Sequence, residues 1–452
     1  MGDVVPIKSD MKQTVIDAKL RRAPDSSILG GIGQKKNEIM EQPSPNLILC
    51  ASVLDVFTLG VILPVIPSLF SEFGMNTTHQ GWASSLYSLL SFFMGPLFGR
   101  WSDVHGRTIF LKVAGAANVL GLAAALAAPT KWAFLAARVL PGALKCQVPL
   151  TQAYLADVSS PQDRQKNFGL FGASFGLGFI FGPLVGGLAA QANTRLPLAI
   201  AVFAAILYLI VVFMVKEPHK QKTAAKAAEE GKGAKKKSGW SLIRSQGTGA
   251  LALLFHNRFA FVFGEALYQA TFIPHFSRRF GLQGREIGML LSLLGVLSLI
   301  SNLVIVRYLT RKFKECHILI VASLTQAVCM LVVFSSGDMR VVCAVLAVMS
   351  VNSTAFNTLT SAQISKSVSP EHTGTVMGFS SAADTIVRII CPPLAGYIFE
   401  TIGHSGAGIS AAGAILYCSV GTMSAEAVGL RIKEAAPGAE GGPVDQQAKK
   451  QT

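Results

Sequence analysis

The chain has 452 residues, of which 51% are hydrophobic and only 14% charged, and its formal net charge is +15. A soluble domain carries roughly 25% charge, so this composition argues against a secreted domain, a nucleic-acid binder or a soluble enzyme. The excess basic residues lie between apolar segments, where they bear on membrane topology rather than on nucleic acid.

The N-terminal segment to residue 45 is polar and charged, with no signal-peptide pattern. Pro43 and Pro45 then punctuate the start of the first apolar stretch. Twelve stretches are long enough to span about 30 Å of hydrocarbon at about 1.5 Å per residue. They run approximately Asn46–Phe70, Trp82–Arg100, Thr108–Ala128, Trp132–Ala156, Phe168–Gln191 and Leu196–Val215 in a first set. A second set follows at Leu251–Ser277, Glu286–Tyr308, Ile318–Ser335, Val341–Ser365, Thr373–Glu400 and Gly406–Leu430. Between the sets, the Lys/Ala/Glu/Gly-rich segment Lys216–Arg244 cannot build a core.

The expected organisation is therefore a cytosolic tail (1–45), a six-helix half (46–215), a basic cytosolic linker (216–250), a second six-helix half (251–430) and a second tail (431–452). With the N-terminus cytosolic, the inside segments carry Arg21, Arg22, Lys35, Lys36, Arg107, Arg164, Lys166, the linker run, Arg311, Lys312 and Lys314. The outside turns carry little beyond Lys131, Arg195, Arg278, Arg279, Arg285 and Arg340, so both termini are expected in the cytosol. An Asn76-Thr77-Thr78 sequon falls in the first outer turn, close to the membrane.

The halves echo one another. In register from Ser160-Pro161 and Ser369-Pro370, Gly169 aligns with Gly378, Pro183 with Pro392 and Gly187 with Gly396. Two halves related by an axis along the membrane normal is a transporter arrangement.

Seven cysteines lie in or beside apolar runs, with no CxxC pair and no metal spacing. Neither a disulfide, a metal nor a cofactor is expected. The eight histidines are scattered, and no phosphate loop or nucleophile elbow is present, so an enzyme is not expected.

Charges inside apolar stretches are the chemistry-bearing residues, because each is costly unless paired, hydrated or protonated. Asp55 lies about nine residues into the first span, near mid-membrane, where an apolar site favours its protonated form. Arg138 and, further along the same stretch, Lys145 interrupt the fourth. Lys145 can serve as counter-ion to Asp55, favour an anionic substrate, or snorkel. Glu265 sits in the seventh stretch. Asp384 and Arg388, four apart in the eleventh, share a helix face and can pair. Asn352, Asn357 and Gln363 are polar candidates in the tenth, for a pocket or for interhelical hydrogen bonds.

Two blocks carry a family resemblance. Gly99-Arg100-Trp101-Ser102-Asp103-Val104-His105-Gly106-Arg107 resembles the GxxxDxxGR segment between the second and third helices of the major facilitator superfamily. Gly176, Gly178, Gly182, Pro183, Gly186 and Gly187 in the fifth stretch resemble the motif of that superfamily's twelve-helix drug:proton antiporters. Such residues also permit close helix packing in membranes. Leu54–Phe57, Arg138–Leu144, Arg278–Gly281 and Arg388–Pro392 resemble members as well.

The resemblance implies an all-α membrane protein of twelve transmembrane helices in two halves. It implies that the Gly99–Arg107 segment, with Asp157 as acidic partner, latches the halves in the outward-facing state. Thr108 departs from the pattern, which often has a second basic residue there. It further implies that Arg138 takes part in proton coupling. The expected function is secondary active transport of a small organic solute, coupled to protons by antiport. The alternatives are a facilitative uniporter or a non-transporting sensor or scaffold. The expected partners are a small-molecule substrate, protons and the lipid bilayer, with no nucleic acid, and the expected state is a monomer.

Overall fold

In hydrocarbon, an apolar segment is stable only when its backbone donors and acceptors are satisfied internally, and a helix does this within one segment. The computed structural model is built accordingly. It describes residues 45–160, 163–217, 248–368 and 370–427, and every regular element among them is helical. The expected linker and both tails fall almost wholly outside the described residues.

Helix α1 (Pro45–Ile62) passes through a 3-10 turn at Leu63–Val65 into α2 (Ile66–Glu72). Pro64 lacks a backbone N–H, so the α ladder breaks there. Next come α3 (Thr77–His105), α4 (Arg107–Leu126), α5 (Lys131–Val139), a 3-10 turn (Leu140–Leu144), α6 (Gln147–Val158), α7 (Arg164–Ala190) and α8 (Leu196–Met214). The second set comprises α9 (Thr248–Phe280), α10 (Gly284–Ile300), a π turn (Ser301–Ile305), α11 (Val306–Lys312), α12 (Glu315–Ser335), α13 (Met339–Lys366), α14 (Pro370–Thr401) and α15 (His404–Ala427).

Among the described residues, nine helical spans are long and apolar enough to cross a membrane. The rods that fall short are α3, the broken α5–α6 and α9. Each carries polar groups within it: Arg100 and Asp103 on α3, Arg138 on α5, and Arg258 and Glu265 on α9. The site residues are thus what weakens the apolar signal.

Helix α3 starts earlier than the stretch beginning at Trp82 because Asn76 caps it. The Asn76 side chain accepts the His79 N–H at 3.1 Å and His79 returns the contact to the Asn76 backbone, a capping box. The sequon's acceptor side chain is therefore engaged in a helix cap.

The second set has its own apolar core, built on Phe261, Phe276, Met330, Phe356 and Phe399. The first set buries two clusters, one around Phe134 and Leu198 and one around Leu111 and Tyr154. Two crossings join the sets, α3 on α14 and α7 on α10. They are near copies. Gly81 lies under the Pro392 carbonyl and Gly288 under the Pro183 carbonyl, so tightly that neither has room for a Cβ. Ser85 donates its hydroxyl to the Ile389 carbonyl, as Ser292 donates to that of Ile180 at 2.6 Å. Gly396 abuts Thr77 and Thr78, as Gly187 abuts Gly284. Two of the residue pairs of the sequence repeat, Pro183 with Pro392 and Gly187 with Gly396, thus occupy equivalent contacts.

All these contacts gather at the end of the bundle remote from Pro45 and Ala427. Toward the other end Gly95, Gly99, Gly169, Gly172 and Gly378 have nothing within 4 Å of where a Cβ would stand. Among the described residues, the close backbone contacts between the two sets lie at one end.

Candidate functional site

Pro141 and Gly142 break the fourth rod into a 3-10 turn that lies against the backbone of Tyr87 on α3, and Ser91 donates to the Gly142 carbonyl at 2.8 Å. The turn ends at Lys145, whose φ of −75° and ψ of 86° leave the helical region. That break carries the Lys145 side chain to α1. Its Nζ lies 3.1 and 3.3 Å from the two carboxylate oxygens of Asp55. The Asp55 side chain is 8% exposed and that of Lys145 28%. Of the roles open to Lys145, the structure shows the counter-ion. Tyr87 stands among Asp55, Lys145 and Arg138. Among the described residues no carboxylate pairs with Arg138. Lys145 thus holds Asp55, and Arg138 joins the cluster through Tyr87.

The Gly99–Arg107 segment forms the last turns of α3 and a single-residue turn. Gly106, with φ of 106°, lies between α3 and α4, in a region that L side chains rarely adopt. Arg107 gathers three partners: Asp103 at 2.6 Å, Asp157 of α6 at 3.1 Å and the Ser102 hydroxyl at 3.0 Å. A fourth group was not foreseen. Glu217, just past α8, accepts from the Arg107 N–H at 2.6 Å and the Thr108 N–H at 2.8 Å, and also from the Thr108 hydroxyl. A carboxylate on the first N–H groups of a helix answers both the unpaired donors and the dipole. Thr108 thus hydrogen-bonds an acid where many superfamily members present a second base.

Gly106→Ala should unseat this turn. Its Cβ would stand 2.9 Å from the Glu217 carboxyl carbon, on a backbone already strained for alanine. A loss of about 1–3 kcal/mol is expected, measurable as a lower Tm of the purified protein; an unchanged Tm would contradict it.

The second set corrects one expectation. Asp384 does not pair with Arg388. It takes Arg258 of α9, with Nη2–Oδ2 at 2.7 Å and Nε–Oδ1 at 3.3 Å, and Arg258 also donates to Ser361 of α13 at 3.0 Å. Two parallel N–H···O bonds from a planar guanidinium hold a carboxylate better than one contact along a helix. Arg388 is exposed and makes no ion pair among the described residues. Sequence reasoning passed over Arg258, although it lies seven residues before Glu265 and so shares its helix face.

Glu265 is buried. It accepts from Gln326 of α12, and Ser353 of α13 and Gln269 of its own helix reach the same carboxyl. Asn352 donates to Thr325 of α12 at 2.9 Å, the interhelical role, while Asn357 bonds its own helix and Gln363 is buried.

The antiporter-type glycines face two neighbours. A Cβ at Gly178 or Gly182 would stand only 2.6 or 2.8 Å from Val56 or Gly60 of α1, and Gly186 lies against the Val61 carbonyl. Gly176 and Gly187 face α10, and so does the Pro183 carbonyl. Helix α7 is thereby wedged between its own set and the other.

At the closed end, Glu400 of α14 accepts from Arg278 of α9 at 2.7 and 3.1 Å and from the Thr77 N–H of α3 at 3.1 Å. Arg278 also reaches the Thr77 hydroxyl at 3.3 Å. This cluster ties the two sets together.

The family model described as Major Facilitator Superfamily matches residues 48–264 and 254–438. The chain belongs to this superfamily. It is an integral, multi-pass membrane protein. It is 27% identical over 371 residues to the class D tetracycline resistance protein of Salmonella ordonez, covering 80% of this chain and 90% of that protein. It is 25% identical over 387 residues to solute carrier family 22 member 18 of Rattus norvegicus, covering 82% and 92%. Among solved structures, the human organic anion transporter MFSD10 (TETRAN) aligns with a TM-score of 0.62 at 20% identity, over 84% of this chain and 98% of that one. A bacterial homologue of the human lysosomal transporter Spinster, inward-facing and occupied, aligns with a TM-score of 0.69 at 13% identity, over 87% and 98%. Those two likenesses bear on the fold alone. The family and its structural neighbours are transporters rather than enzymes.

Proposed function

We propose that this superfamily member is a secondary active transporter of a small organic solute, coupled to protons by antiport and working by alternating access. The observation that carries the reading is an interface whose close backbone contacts gather at one end, with ion-paired carboxylates in both sets of helices. The tetracycline resistance relative is in keeping with it. In this reading the rods make twelve spans, the chain ends and linker are cytosolic, and the other end opens inward. The protein acts as a monomer.

Asp55, Arg138 and Lys145 line the solute site of the first set, and Glu265, Asp384 and Arg388 contribute from the second. Arg138, with no carboxylate partner among the described residues, suits a solute bearing an acidic group. The turn around Gly99, Asp103, Gly106, Arg107 and Asp157 gates the cytosolic side.

The test is solute flux into proteoliposomes across an imposed pH gradient, with anionic and cationic organic panels. Flux that follows the gradient supports antiport. Flux indifferent to it would leave a facilitative uniporter, a second reading favoured by the cation that already neutralises each of Asp55 and Asp384.

A further inference from the structure

Three acidic side chains lie largely buried between helices, and they are not equivalent. Asp55 is held by Lys145 and Asp384 by Arg258. Glu265 makes no ion pair among the described residues. Its neighbours are neutral: Gln326, Ser353 and Gln269.

The elements packed around it offer no counter-charge that pairs with it. On its own helix the nearest titratable group is the buried Tyr268, and Arg258, two turns away, is committed to Asp384. His275 lies nearly three turns further along the same helix. Helix α12 presents Cys329, one turn from Gln326. Helix α13 presents Ser353. On α14 the Cys391 thiol points to the Phe263 carbonyl, and on α15 the Cys418 thiol points to the Asn257 carbonyl. An ionised carboxylate in such a place carries a large desolvation cost, which the binding of one proton removes.

The Gln326 amide supplies a second observation. Its Nε2 lies 2.5 Å from Glu265 Oε1, short for an N–H···O bond. Its own Oε1 is buried with no donor among the described residues. The two ends of an amide are assigned rather than observed, and turned over it offers Glu265 an oxygen. The contact becomes an O–H···O bond from a protonated Glu265 to Gln326 Oε1, for which that separation lies at the short end of the range.

We propose that Glu265, with Gln326 and Ser353, is a proton-binding site of the second set of helices, separate from the ion-paired Asp55, and that it holds its proton in this conformation. The proton is taken from water on one side and returned to water on the other, with no bond to the solute. Only the consequence for transport rests on the antiport reading; the site itself does not.

The test needs no solute. Infrared difference spectra of the full-length protein in nanodiscs at neutral pH are expected to show a protonated-carboxyl C=O band. Glu265→Gln removes it, whereas Asp55→Asn and Asp384→Asn leave it in place. A band that survives Glu265→Gln, or no such band in the unaltered protein, overturns the proposal. Should Glu265→Gln fail to fold, Gln326→Leu decides. Loss of the acceptor must shift the band, and an unmoved band is equally fatal. A band that behaves as expected in a protein whose flux ignores pH gradients would keep the site and remove the antiport reading.

Discussion

Lys145→Met should destabilise the protein by about 3–5 kcal/mol, the usual result of leaving one member of a buried ion pair alone. Asp55 is buried, and Lys145 is its only ion-pair partner among the described residues. Arg138 is the nearest replacement cation, but it sits on α5, before the break that carries Lys145 across to α1. The double variant Lys145→Met with Asp55→Asn should regain much of the loss, because neither member then remains charged. Thermal unfolding of the four proteins in one detergent gives the coupling energy directly. Additive losses would mean that the two side chains do not depend on each other. The double variant should still fail to move solute, so stability and transport separate in it.

Glu400→Gln should part the closed end. Its carboxylate accepts three of the bonds that tie α14 to α9 and α3. The cluster is partly exposed, so its loss is worth less than the sum of its bonds. A shift of about 1.4 kcal/mol changes the ratio of the two states tenfold. Spin-label pairs placed across the α3–α14 crossing should then report a longer distance in a larger fraction of molecules. Arg278→Met should act in the same direction, and distance distributions identical to those of the unaltered protein would dismiss the latch.

The bundle and its superfamily were legible because long apolar stretches and glycine spacing are local signals. The glycines at 178, 182 and 186 need only helical periodicity to be seen as one packing face. The breaks in the rods were not read. Trp132–Ala156 looks like one span in sequence, and Pro141-Gly142 reads there as part of a motif rather than as the end of a helix. Tertiary pairing was hidden for a different reason. Sequence spacing offers Asp384 only a partner on its own helix, whereas Arg258 lies 126 positions away and arrives through the packing of α9 against α14. Glu217 was concealed by its charged surroundings, since a single carboxylate beside a lysine-rich run reads as solvated. Its function comes from Thr108 and the start of α4, which the fold brings to it.

The twin crossings have a mechanical consequence. Each places a proline's own carbonyl on a glycine of the other set, with a serine hydroxyl bonded to a carbonyl beside it. Two such bearings define an axle rather than a ball joint. In the proposed alternating access the halves would roll about the line through them, whereas twisting or sliding would drive a carbonyl into a backbone at one bearing or the other. Such a motion would have one degree of freedom, and a bulky residue at Gly81 or Gly288 is expected to jam it on one side only, tilting the axle instead of merely stiffening it.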